Sequence, residues 1–127
     1  MSRAIADTSV FIAEESGRGL GDLPEEIAVS VITAAELELG VLRATTPPVR
    51  ASRLATLSRV QATYPLLPVD PEVASCFARI ASAELERGRR LRRHDTWIAA
   101  TAMRHGAAVL TQDKDFSSFG EVAVIRV

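Results

Sequence analysis

Short apolar segments that run straight into helix-capping residues recur along this chain, and that alternation limits its fold more than any other feature. Residues 3–6 read as a strand and stop at Asp7-Thr8-Ser9, residue types that favour caps and turns over strand interiors. Val10, Phe11, Ile12 and Ala13 open the helix that follows, and the glycines at 17, 19 and 21 end it. Residues 27–32 are rich in β-branched side chains and predict a second strand, with Thr33 capping a helix over 34–42. Pro47-Pro48 breaks the chain, and a helix resumes over 49–62. Residues 66–69 predict a weak strand interrupted by proline. Asp70-Pro71-Glu72 combines a cap acceptor, a proline at the first helical position and an acid in the first turn. Val73, Phe77, Ile80 and Ala81 give its helix a buried stripe that fades at Gly88. A helix over 96–105 and strands over 107–111 and 122–127 complete the pattern. Alternating βα units of this kind predict an α/β fold, a mainly parallel sheet with helices on both faces.

The chain has 127 residues, 47% of them hydrophobic, which suits one compact domain over 1–127. Cys76 is the only cysteine, so no internal disulfide forms, and its place beside Phe77 predicts packing. No run approaches the roughly 18 to 20 apolar residues that span a bilayer, and no export signal opens the chain, so a cytoplasmic protein with no membrane partner is expected. The net charge of −1 carries no overall nucleic-acid signature, but 14 of the 15 basic residues are arginine. Five of these, Arg87, Arg89, Arg90, Arg92 and Arg93, stand together, and the guanidinium fork suits phosphate.

Sites in open α/β sheets form at the carboxyl ends of the strands. Asp7 and Asp113 fall just past strand ends, Asp95 opens a helix, and Glu36 lies in the first turn of one that follows a strand. Two carboxylates about 4 Å apart repel by roughly 4 kcal/mol at an effective dielectric near 20, so four together need a counter-charge. Oxygen donors without a cluster of histidine or cysteine favour magnesium, with manganese possible, over zinc. Each acid also has a local structural role open to it. Thr33-x-x-Glu36 reads as a capping box, Asp7 and Asp95 as N-caps, and Asp113 as a turn residue.

The segments Ala6-Asp7-Thr8-Ser9-Val10-Phe11-Ile12, Thr33-Ala34-Ala35-Glu36-Leu37-Glu38-Leu39-Gly40, Asp95-Thr96-Trp97-Ile98-Ala99-Ala100-Thr101-Ala102 and Leu110-Thr111-Gln112-Asp113-Lys114-Asp115-Phe116 resemble, in order and spacing, the motifs of PIN-domain nucleases, and in particular VapC toxins of bacterial toxin-antitoxin pairs. The resemblance covers nearly the whole chain. It implies a three-layer fold with a five-stranded sheet, divalent-metal-dependent hydrolysis of RNA by a metal-activated water, inhibition by a small VapB-like antitoxin, and a homodimer within the toxin-antitoxin complex. By motif, Asp7, Glu36 and Asp95 match the metal-binding acids and Asp113 the fourth, with Asp115 its neighbouring alternative. Thr8, Ser9 and Thr111 match hydroxyl positions that orient water or ligand oxygens. His94 stands where the family often has asparagine. The arginine cluster just before Asp95 would face RNA phosphates.

Two other readings have sequence features of their own. A phosphoacceptor receiver domain would use Asp70 and Lys114, but it gives no role to Glu36 or Asp95. A non-catalytic interaction module leaves the acid set unexplained.

Overall fold

A computed structural model describes residues 3–114, 116 and 119–127. Five strands, β1 (Arg3–Ala6), β2 (Glu26–Ser30), β3 (Leu66–Leu67), β4 (Ala108–Thr111) and β5 (Val124–Arg126), form one sheet in the order β3-β2-β1-β4-β5. Every pairing between these strands is parallel. Five helices connect them: α1 (Thr8–Glu15), α2 (Val31–Leu42), α3 (Pro47–Thr63), α4 (Pro71–Glu86) and α5 (Arg93–His105).

Alternation along β1 divides the core in two. Ala4 and Ala6 point to one face with Val29 and Leu110, where Phe11 of α1, Leu37 of α2 and Val60 of α3 cover them. Ile5 and Val109 point to the other, against Val73 and Ile80 of α4 and Ile98 of α5. A parallel sheet needs both faces covered, and the near-continuous burial of β1 and β4 follows from that. Cys76 lies in the second core, as its apolar setting predicts.

The sequence boundaries shift at four helix starts, the first being α1, which begins at Thr8 directly after its cap Asp7 and not at Val10. Strand β2 ends at Ser30, and Ser30 rather than Thr33 caps α2, its Oγ accepting from the Ile32 amide at 3.0 Å. Thr33 is already inside the helix, fully buried, and its hydroxyl has no partner among the described residues. Pro47-Pro48 starts α3 instead of breaking the chain, because Thr46 caps it and proline suits the first helical positions, where its missing N–H costs nothing. Helix α5 begins at Arg93, so Asp95 sits inside its first turn. Phe77 is half-buried and stacks on Trp97 with ring centroids 4.0 Å apart.

The last turn of α4 holds a buried acid. Glu84 is 4% exposed, and its carboxylate accepts from Arg87 at 3.4 Å and from Arg89 at 3.2 Å. The Arg89 amide also bonds the Glu84 carbonyl at 3.0 Å, so the start of the arginine segment is tied to the helix it leaves.

Ser30→Ala is expected to lower unfolding stability by about 1 kcal/mol through the lost cap. Thr33→Val, which removes an unsatisfied buried hydroxyl, is expected to be neutral or stabilising. Urea denaturation of the two variants checks this; the reverse order would restore Thr33 as the cap.

Candidate active site

Strand order reverses direction between β1 and β4, and the acids gather at the carboxyl ends of these central strands. Asp7 is the residue after β1, 7% exposed, and caps α1. Its amide donates to the Leu110 carbonyl at 2.9 Å, which holds it against the end of β4. Its Oδ1 accepts from the Ser9 amide at 2.8 Å and the Ser9 hydroxyl at 2.5 Å, and its Oδ2 accepts from the Thr111 hydroxyl at 2.7 Å. Three donors offset the desolvation of a buried carboxylate. Each oxygen of an ionised carboxylate accepts two bonds, so Oδ2 keeps one acceptor position beyond Thr111.

The loop after β4 is built on the same hydroxyls. Ser9 Oγ accepts from the Gln112 amide at 2.9 Å, and Thr111 Oγ1 from the Asp113 amide at 3.0 Å. The Gln112 side-chain amide reaches the Val127 carbonyl. Asp113 itself is exposed at the rim. Asp115, the alternative fourth acid, lies outside the described residues.

Glu36 stands in the second turn of α2, and with Ser30 as the cap it makes no capping box. Its Oε1 accepts from the Thr8 hydroxyl at 2.8 Å, and its Oε2 lies 3.3 Å from His94 Nδ1. Asp95 faces it from α5, with Oδ2 3.3 Å from Arg92 Nη1. Burial raises the Asp95 carboxyl above the ordinary aspartate value; Arg92 pulls it down, while Asp7, Asp113 and Glu36 push it up in turn. All four acids therefore act on one site electrostatically. Among the described residues no three carboxylate, imidazole or thiol groups are close enough together to hold an ion as they stand. The donors of Asp7, Glu36, Asp95 and Asp113 are nevertheless all oxygen, which fits a hard divalent cation in kind.

Thr8, Ser9 and Thr111 each hydrogen-bond one of the acids, so the hydroxyl positions are brought to the cluster. Asp70 is occupied elsewhere, capping α4 through the Val73 amide and lying 4.0 Å from Arg104. The five arginines divide. Arg87 and Arg89 are held by Glu84, and Arg92 by Asp95. Among the described residues no carboxylate pairs with Arg90 or Arg93. A broad hollow of about 550 Å³ runs along residues 90–95 and reaches Asp95. A second cavity, about 520 Å³, lies at the opposite ends of the strands beside Arg3, Tyr64 and His105, away from the acids.

Three contacts here escape sequence reasoning: His94 on Glu36, Glu84 beneath the arginines, and Arg92 packed on Phe119. Only Glu84 leaves a trace, as an acid three residues before Arg87 on a helix.

A parallel α/β sandwich with acids at its central strand ends describes a PIN domain, and residues 4–122 match that family. The chain belongs to the PIN-domain family. Within it, the chain is 46% identical over 125 residues to Ribonuclease VapC5 of Mycobacterium tuberculosis, covering 97% of this chain and 92% of that one. It is 43% identical to Ribonuclease VapC4 of the same organism over 127 residues, 98% of this chain and 97% of the relative. Its fold superposes on VapBC-5 from Mycobacterium tuberculosis, a member of the VapBC family of toxin-antitoxin systems, with a TM-score of 0.88, 43% identity and full coverage of both chains.

Because folding raises the Asp95 pKa, the contribution of Asp95 to stability is fully present below the ordinary aspartate pKa and lost as pH rises through its folded value. Asp95→Asn is therefore expected to melt a few degrees above the wild type near neutral pH, with the advantage closing on acidification. Thermal melts across pH check it, and a lower melting point at neutral pH would contradict it.

Proposed function

We propose that the chain is a toxin ribonuclease that hydrolyses RNA phosphodiester bonds at the Asp7, Glu36, Asp95 and Asp113 cluster. One observation carries this reading: these four acids, far apart in sequence, converge at the switch point of a PIN-domain sheet. Asp7, Glu36 and Asp95 are assigned to hold magnesium, or manganese in its place, with Asp113 or Asp115 completing the set. When bound, the cation polarises a phosphoryl oxygen and makes a bound water acidic enough to act as nucleophile near neutral pH.

The chain's own residues prepare that chemistry. Ser9 and Thr111 fix the Asp7 carboxylate in one orientation, leaving an acceptor position on Oδ2. Thr8 and His94 hold the two oxygens of Glu36. Burial around Asp95 lowers the local dielectric and strengthens every charge interaction there. Within the arginine segment, Arg90 and Arg93 are the foremost contacts to RNA phosphates, and Glu84 keeps Arg87 and Arg89 beside them.

The partner is assigned as a VapB-like antitoxin, with a homodimer of this chain inside the complex. Among the described residues no helix is long and apolar enough to cross a membrane. Action on cellular RNA places the protein in the cytoplasm under this reading.

Asp7→Asn and Asp95→Asn are each expected to reduce magnesium-dependent cleavage of total cellular RNA to background. Asp7→Asn should also cost about 1 kcal/mol of stability through its disturbed hydrogen bonds. Full activity in either folded variant would remove the assignment. In the Asp95→Asn background, Arg90→Ala with Arg93→Ala should weaken RNA binding and lower its log-log salt slope by about 1 to 2. An unchanged slope would take these arginines out of the interface. Co-expression with a VapB-like antitoxin should recover a stable complex, and a chain purified alone from that experiment would withdraw the partner.

A further inference from the structure

Arg92 combines three features that a loop arginine need not have. It is the residue before α5, with an extended backbone and no side-chain capping bond to the helix. Its guanidinium lies 3.3 Å from Asp95 Oδ2. The same group packs 4.8 Å from the ring centroid of Phe119 and 5.9 Å from that of Phe116, two buried rings set edge to face. An exposed ion pair alone holds a long side chain weakly, because its rotamer entropy opposes the bond. Stacking on two aromatic faces fixes the guanidinium independently of the carboxylate, and a planar cation suits that shelf better than an ammonium.

We propose that Arg92 is the resident counter-ion of the carboxylate site: it competes with the divalent cation for Asp95 and, once displaced, stays on the Phe116 and Phe119 shelf as a contact for an RNA phosphate. This rests on the ribonuclease reading above. A cation entering the site must share Asp95 with a fixed positive charge, and that repulsion lowers its affinity for the free protein. A phosphate arriving at Arg92 neutralises the guanidinium and withdraws it from Asp95. Cation and RNA then favour each other's binding, so the site fills when substrate is present.

The test is calorimetric titration of manganese into the full chain without RNA. It compares the wild type, Arg92→Met, Arg92→Gln, Arg92→Lys and Asp95→Asn, with the fold of each checked by circular dichroism. Methionine can keep the packing on the rings without the charge. Glutamine removes the charge with a different shape, so one folded neutral variant is sufficient. The expected result is manganese binding about three- to tenfold tighter in the neutral variants. Arg92→Lys should bind close to the wild type, and Asp95→Asn more weakly. Unchanged or weaker binding in a folded neutral variant would overturn the proposal, because a residue that only orients Asp95 lowers affinity when lost. Equal binding by wild type and Asp95→Asn would instead overturn the assignment of Asp95 to the cation, which separates the two failures.

Discussion

The buried carboxylate of Asp7 is the joint on which the rest of the structure depends. The carboxylate caps the first helix through Ser9 and holds Thr111 at the end of β4 with bonds of 2.5 to 2.8 Å, while the Asp7 amide donates to Leu110 at 2.9 Å. A buried carboxylate without those donors would leave its oxygens unsatisfied away from water. Hydroxyls in a sequence as short as Asp7-Thr8-Ser9, together with Thr111, thus do more than polar decoration. They make it possible for negative charge to stand at the centre of the sheet edge, where the other acids can be brought to it.

Helix α5 shows what the site costs locally. Its first residues carry no side-chain cap, unlike the other four helices, and Arg92 faces Asp95 and the aromatic rings instead of the helix amides. Part of that loss is offset within the same turn. Asp95 stands where the helix dipole favours an anion, and Thr96 donates its hydroxyl to the Arg92 carbonyl at 2.6 Å. Such departures from local preference are expected where function competes with folding.

Much of this was legible in the sequence because it is written in local chemistry. Capping triplets and β-branched runs give the βα alternation, and the PIN-domain resemblance follows from four segments in order. The boundaries that moved did so for tertiary reasons. Ser30, rather than Thr33, becomes the cap because pairing with β1 stops at Ala28 and pairing with β3 stops at Ser30. That shift removes the capping-box role open to Glu36 and leaves its carboxylate to Thr8 and His94. The five arginines look alike as letters, and only a buried Glu84 and a pair of phenylalanine rings separate them.

The bond between Thr111 and Asp7 joins residues 104 positions apart. Strand β1 has β4 as its neighbour on one side, so the centre of the sheet stays open on that side until Ala108–Thr111 pairs with it. Pairings this distant are slow to form, because the entropy of closing the intervening chain must be met first. During synthesis at about 5 to 20 residues per second, the early acids emerge first and wait without their partner strand. The acids of the early strands and helices therefore become one cluster only when β4 has paired with β1 and the Thr111 hydroxyl has reached Asp7.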